Sequence, residues 1–336
     1  MIQQLLPDLY RIPVPLPKNP LKEINTYLIR GERDFLIDTG FDLDICEQAL
    51  LEAFEQLGVN KDKLDICLTH FHSDHIGLVR RLAKEETVIW SGKIPWETLT
   101  GWEDREKDWI KEEKRFAVYG LNANEEEWRF SQRPEFNLGW KKLHERFQIL
   151  QEGQFLHVGD YALQCVETDG HCKGHICLYE PSKKILFSGD HILGNISPNI
   201  TCYHLGEMSS LNQFLKSLDK IAGMDVELVL PGHRQILTNC AERIKELKLH
   251  HQNRLIEVMS ILKEGPRTGV EIAGQMSWAM SYTVWDEISP VQKFFSLGEA
   301  LAHVNYLVEK GFVKTKNINE VIYFYYEKDF DCIIQN

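Results

Sequence analysis

Residues 69–77 read Thr-His-Phe-His-Ser-Asp-His-Ile-Gly, placing three histidines and an aspartate within six positions directly after the apolar run Leu64–Leu68. No other stretch limits so strongly what this chain can fold into. In an extended segment, side chains two apart leave the same side, so His70 and His72 can grip one ion. Asp74 and His75 follow at the opening of a helix, where the chain reverses and can aim both groups at a neighbouring point. The bland alternative is a polar helix cap with surface histidines, and the density of ligand-type residues argues against it. A fold that uses this run must bring other ligand-bearing segments to the same place.

Three further segments repeat the pattern of an apolar strand that ends in a ligand-type residue. Tyr161–Val166 runs into Thr168-Asp169-Gly170-His171, Lys184–Phe187 into Ser188-Gly189-Asp190, and Val226–Leu230 into Pro231-Gly232-His233. In each, a glycine immediately precedes the candidate ligand and permits close or unusual backbone approach. Singly, each is an ordinary turn. Together with the first cluster they make seven groups, and four strand ends meeting at one sheet edge is what a binuclear site requires.

This ordered series, with Ile37-Asp38-Thr39-Gly40, resembles the metallo-β-lactamase superfamily over roughly residues 8–240. The resemblance implies an α/β fold, an αββα sandwich with the metals at one edge. It gives His70, His72 and His171 to a first metal, Asp74, His75 and His233 to a second, and Asp190 to both. Asp74 and Asp190 are thereby the carboxylates of the catalytic machinery. Two divalent ions are implied, zinc by default, with iron or manganese as alternatives that His and Asp ligands also accept. They would share a hydroxide formed near neutral pH, because metals lower the pKa of bound water toward about 7. That hydroxide would attack a carbonyl or phosphorus, so no Ser or Cys nucleophile is needed. Cys172, beside His171, reads as a packing residue.

The chain departs from true β-lactamases of the superfamily, which place Cys or His where it has Asp190 and commonly lack an equivalent of His75. It resembles instead the glyoxalase II-like branch of thioesterases, lactonases, phosphodiesterases and ribonucleases. The leading expectation is hydrolysis of a small thioester, ester or lactone. The alternative is a phosphodiesterase or endoribonuclease. A non-catalytic metal-binding protein is disfavoured because all seven ligand positions are filled. Lys and Arg total 38 against 50 Asp and Glu, a formal charge of −12 that repels phosphate backbones. Residues 254–336 carry 8 Lys and Arg against 11 Asp and Glu, so the tail reads as a packing or dimerisation module. A small-molecule substrate is the expected partner, nucleic acid is not, and a homodimer is the assembly that the tail would support.

The chain of 336 residues is read as two domains. Residues 1–240 form the metallo-β-lactamase domain, with a helical insertion at about 91–148, and residues 241–336 form a small helical, winged-helix-like domain. The insertion holds five of the eight tryptophans (Trp96, Trp102, Trp109, Trp128 and Trp140) amid dense mixed charge. Core-packing helices and a lid over a site are the two readings of it. Ile45, Ala49, Leu50, Ala53, Phe54 and Leu57 predict a helix stopped by Gly58, and Asp74–Lys84 predicts another with an acidic cap. In the tail, Trp278, Tyr282 and Trp285 fall at core-like helical spacing. The eight cysteines form no C-x-x-C pair and read as reduced thiols, hence a cytoplasmic protein. No apolar run approaches the roughly 18–20 residues of a membrane span. Outside the ligand set, His175 is a candidate to orient His171 or a metal-bound group, His191 a candidate proton donor, and Tyr203 and His204 candidate substrate contacts.

Overall fold

The computed structural model describes residues 1–93, 116–121, 143, 145–202, 205, 208–278 and 285–329. These gather into two compact units. The first takes residues 1–93, 143, 145–198 and 217–243; the second takes 116–121, 199–202, 205, 208–216, 244–278 and 285–329. The five tryptophans of the expected insertion, with Tyr203, His204 and Tyr282, lie outside the described residues. The described ends of that insertion are strand rather than helix.

Two sheets make the first unit. One has the order β1 (Gln3–Leu6), β2 (Leu9–Pro15), β3 (Glu23–Ile29), β4 (Asp34–Ile37), β5 (Leu64–Leu68), β6 (Ile89–Ser91) and β7 (Phe147–Ile149). Pairing is antiparallel from β1 to β4 and parallel from β4 to β7. β2 contains Pro13 and Pro15, although proline disfavours a strand interior. β1 pairs only as far as Arg11, so Pro13 and Pro15, which cannot donate a backbone hydrogen bond, have no neighbour on that side. The second sheet is ordered β12 (Leu228–Pro231), β11 (Ile185–Gly189), β10 (Ile176–Glu180), β9 (Tyr161–Glu167) and β8 (Phe155–Val158). It is antiparallel except for the parallel pair β11 and β12.

Alternation along the strands sorts their apolar residues into two cores. Tyr27, Ile29, Phe35, Ile37 and Cys67 face Leu163, Cys165, Ile176, Leu178, Ile185 and Phe187 across the gap between the sheets. Ile24, Leu28, Leu36, Ile66 and Leu68 point the other way, against Cys46, Leu50, Ala53 and Phe54 of helix α1 (Asp44–Leu57). Each fully buried Leu or Ile contributes about 1.5–3 kcal/mol relative to exposure. Gly58 ends α1 in the left-handed region at φ 66°, as its position predicted.

The helix expected at Asp74–Lys84 is instead two short ones, α2 (Ser73–Ile76) and α3 (Val79–Leu82), and α2 is capped by His72 rather than Asp74. The break has a tertiary cause. The Leu78 N–H leaves the helical ladder for the Gly40 carbonyl at 3.2 Å and the Thr39 hydroxyl at 3.2 Å. A Cβ at Gly77 would lie 2.4 Å from the Asp42 nitrogen, so only glycine lets the turn pass the loop after β4.

Helices α4 (Ser210–Ala222) and α5 (Cys240–Lys263) follow in the chain. In the first unit, the end of α4 fastens to the end of β9: Ser217 Oγ donates to the Asp169 carbonyl and Lys220 Nζ to that of Glu167. The second unit holds β13 (Arg267–Thr268), α6 (Gly269–Gln275), α7 (Pro290–Glu309), β14 (Val313–Ile318) and β15 (Val321–Tyr326), with sheet order β13-β15-β14. The tail helix α7 starts at Pro290 because Ser289, its N-cap, forms a capping box with Gln292. Asn319 and Glu320, both left-handed, turn β14 into β15.

Inside the second unit His251 and His303 are fully buried, with His251 Nδ1 3.1 Å from His303 Nε2. His303 Nδ1 donates to the Glu299 carbonyl at 2.8 Å. Burial drives the pKa of His303 down to about 3. From about pH 6.5 down toward 3, the unfolded chain therefore protonates this residue while the folded chain does not. Its contribution is present above that window and is lost as pH falls. His303→Gln should lower the slope of unfolding free energy against pH by about 1.4 kcal/mol per pH unit between roughly pH 6 and 4. Denaturant unfolding at several pH values checks this, and an unchanged slope would contradict it.

Candidate metal centre

Strand direction gathers the site. β4 and β5 run parallel, as do β9, β11 and β12, so their carboxyl ends emerge at one edge of the two sheets. The Ile176 N–H to Thr69 carbonyl bond (2.8 Å) and the Asn25 N–H to Gly232 carbonyl bond (2.7 Å) stitch the sheets together there.

The seven residues singled out from sequence meet at this edge. His70 Nε2 lies 3.0 Å from His72 Nδ1, which lies 2.9 Å from His171 Nε2. A tetrahedral ion with bonds of about 2.0–2.1 Å would need its nitrogens roughly 3.3 Å apart. The His233 Nε2 atom stands 3.2 Å from Asp74 Oδ2 and 3.6 Å from Asp190 Oδ1, and His75 Nε2 stands 3.5 Å from Asp190 Oδ1. The other oxygen of Asp190, Oδ2, is 3.7 Å from His171 Nε2. His70, His72 and His171 thus form one compact donor group and Asp74, His75 and His233 another, while His70, His75 and Asp190 form a third that overlaps both.

The donor set fits a metal. His75 Nε2, Asp190 Oδ1 and His233 Nε2 are buried and, among the described residues, have no hydrogen-bond partner. Buried polar atoms are rarely left so, and an ion supplies the missing interaction. Neighbours also fix which ring nitrogen is free. His75 Nδ1 donates to Asp38 Oδ2 at 2.8 Å, and His233 Nδ1 donates to the Glu23 carbonyl at 3.0 Å. The Thr69 hydroxyl donates to Asp38 Oδ2 at 2.8 Å, so at 3.0 Å it accepts from His70 Nδ1. As neutral imidazoles, the form a cation requires, all three rings would therefore turn an unprotonated Nε2 toward the cluster.

Electrostatics agree. Burial pushes the His72 pKa down to about 3 and His70 well below its usual value, leaving neutral imidazoles. Burial would raise the two carboxyls, yet His75 and His233 hold Asp74 down to about 2 and Asp190 well below its usual range. Against their own burial, His75 and His233 are pushed up by the facing carboxylates. One half-buried and one buried carboxylate thus demand positive charge, which protons or a cation can provide.

The remaining candidates fall elsewhere. His175 donates from Nδ1 to the Thr168 hydroxyl at 2.7 Å and accepts the Asp190 N–H at Nε2, 3.2 Å away. It therefore braces the backbone of Asp190, while its ring stands 6.1 Å from that of His171. His191 is fully buried, and that burial drives its pKa down to about 3. Cys172 is partly exposed, its thiol pushed well up by burial and by Asp169 and Asp190.

Asp38 and Thr69 stand outside the seven-residue set, although Asp38 shares the signal of an acid directly after an apolar strand. Asp38 adopts φ 59°, a costly conformation held here by three hydrogen bonds, from the Thr69 N–H, the Thr69 hydroxyl and His75. Gly232 has a steric role that its neighbours alone reveal. A Cβ there would lie 2.7 Å from Asp190 Oδ1 and 2.8 Å from His75 Cε1.

Comparison with known proteins agrees with this geometry. Residues 20–233 match the model of the metallo-β-lactamase superfamily, and the chain belongs to that family. The chain is a metallo-β-lactamase-fold hydrolase, of a family that binds divalent metals. It is 23% identical to the “Probable metallo-hydrolase YqjP” of Bacillus subtilis over 94% of this chain and 97% of that protein. It is 29% identical to the “Acyl-coenzyme A thioesterase MBLAC2” of Gallus gallus, over 66% of this chain and 76% of that one. A solved metallo-β-lactamase family protein from Thermus thermophilus superposes with a TM-score of 0.76 at 27% identity, covering 96% of this chain and 100% of that one. No helix among the described residues is long and apolar enough to cross a membrane.

Gly232→Ala should displace Asp190 and His75 and lower the bound metal per chain, with little loss of thermal stability. Elemental analysis alongside thermal unfolding checks this; a full metal complement in the variant would contradict the steric assignment.

Proposed function

We propose that this protein is a two-ion hydrolase that cleaves a small acyl substrate, with a thioester as the first choice among thioester, ester and lactone. The observation that carries the reading is Asp190, whose two oxygens face different donor groups. His70, His72 and His171 would hold one ion, Asp74, His75 and His233 the other, and Asp190 both. Zinc suits the three-imidazole set, and iron or manganese suits a set that contains two carboxylates. An ion pair held there supplies Lewis acidity, lowering the pKa of a water toward neutrality and polarising an acyl oxygen.

The chain's own residues prepare that chemistry. Asp38 and the Glu23 carbonyl keep His75 and His233 in the tautomer whose Nε2 faces inward. Asp74 and Asp190 stay ionised, so they balance the charge of the cations and accept no proton near neutrality. Cys172 is held as a thiol, which makes it a poor competing nucleophile. Hydrolysis then breaks the acyl carbon–sulfur bond, with water adding to the acyl carbon and the thiol leaving. The vertebrate relative named as an acyl-coenzyme A thioesterase supports a thioester, and the Bacillus relative's name supports a metallohydrolase. The acidic tail, with 8 Lys and Arg against 11 Asp and Glu, speaks against a nucleic-acid substrate and supports a packing or dimerisation role.

Purified holoenzyme should turn over acyl thioesters faster than lactones and much faster than bis-p-nitrophenyl phosphate. Turnover of the phosphodiester alone would overturn the acyl reading. His233→Ala should lose one ion per chain by elemental analysis, and its kcat/KM should fall by about 100-fold or more, the scale of several kcal/mol of lost charge stabilisation. Two retained ions would contradict the ligand assignment.

A further inference from the structure

The loop that carries His233 is strained and tightly placed. Arg234 adopts φ 68°, a left-handed conformation unfavourable for a non-glycine residue. Gly232 brings the loop's backbone against Asp190 and His75, so a shift of a fraction of an ångström would alter the Asp74, His75 and His233 group. Something must hold this loop.

The holder is Asn25, in the middle of β3 and almost fully buried. Its Nδ2 donates to the carbonyls of both Pro231 and Arg234, each at 2.9 Å, and so grips the loop on both sides of Gly232-His233. Its backbone N–H donates to the Gly232 carbonyl at 2.7 Å. Arg11 Nε donates to Asn25 Oδ1 at 2.7 Å, which forces the amide's NH2 toward the loop. Two neighbours in the same strand add to the grip: Tyr27 donates its hydroxyl to the Pro231 carbonyl at 2.8 Å, and the Glu23 carbonyl receives His233 Nδ1. The first donor group is fixed elsewhere, His70 through Thr69 and Asp38.

We infer that Asn25 is a positioning residue for the second ion: its amide, oriented by Arg11, sets the loop that aims His233, without touching a ligand side chain. An aspartate at this position would keep the shape but turn an acceptor on two carbonyls, whereas asparagine satisfies all three partners. The inference rests on the two-ion reading above.

The test uses full-length holoprotein loaded with Zn2+ or Co2+, dialysed against a graded chelator series. Ions per chain are measured by elemental analysis, the cobalt form by its visible absorption, and folding by thermal unfolding. Wild type should hold two ions. Asn25→Asp should keep the first ion at wild-type affinity and bind the second roughly 10- to 100-fold more weakly, the usual scale for a residue supporting a ligand. Arg11→Met and Tyr27→Phe should weaken the second ion in the same selective way but by less, and they decide the matter if Asn25→Asp does not fold. Equal weakening of both ions in parallel with lost stability, or an unmoved second ion, would overturn the role of Asn25. A wild-type protein that binds a single ion would overturn the two-ion reading, and this inference would fall with it.

Discussion

The carboxylate of Asp38 is the interaction on which the rest of this site depends. It is buried at the carboxyl end of β4 in an unfavourable backbone conformation, and it accepts from the Thr69 N–H, the Thr69 hydroxyl and His75 Nδ1. Through Thr69 it also governs His70. One acid therefore ties the loop after β5 to the loop after β4 and fixes the tautomers of two histidines. In a low-dielectric edge such charge-assisted bonds are strong, and leaving any of these partners unpaired is costly. Local strain is tolerated because the surroundings over-determine it.

Both sheets contribute candidate donors to the site, and one second-sheet donor is oriented from the first sheet. The first sheet carries His70, His72, Asp74 and His75; the second carries His171, Asp190 and His233. Yet His233 is oriented by a carbonyl of β3, in the first sheet. Asp190 is braced through its N–H by His175, at the start of β10 in the second. The apolar layer between Tyr27, Ile37 and Cys67 on one side and Ile176, Phe187 and Leu230 on the other fixes the spacing of the sheets. Close packing of that layer holds the candidate donors in register, because interiors at crystal-like density resist relative sliding.

Much of this was readable from the chain alone. Strand ends carrying His171, Asp190 and His233 stood out because an apolar run followed by glycine and a ligand-type residue is an uncommon pattern, repeated three times. Helix α1 and its stop at Gly58 followed from 3–4 spacing and a glycine's tolerance of left-handed φ. Elements stabilised from outside were not readable. The Asp74–Lys84 segment has helical periodicity, but a neighbouring loop takes its Leu78 N–H. β2 carries two prolines that its local sequence counts against, and only the limited reach of β1 makes them harmless.

The amino-acid order by itself determined the candidate donor set: seven His and Asp side chains and their grouping by strand end. Residue type and short-range spacing decide donor atoms, charge and side of strand, and these are local properties. Tertiary structure decided which nitrogen of each imidazole faces inward, that Asp190 presents separate oxygens to separate groups, and that Asn25 clamps a loop more than 200 positions away. Those facts depend on contacts across two sheets. An asparagine in the middle of a strand has no local signal that distinguishes it from any other polar residue until the segment it grips has been folded against it.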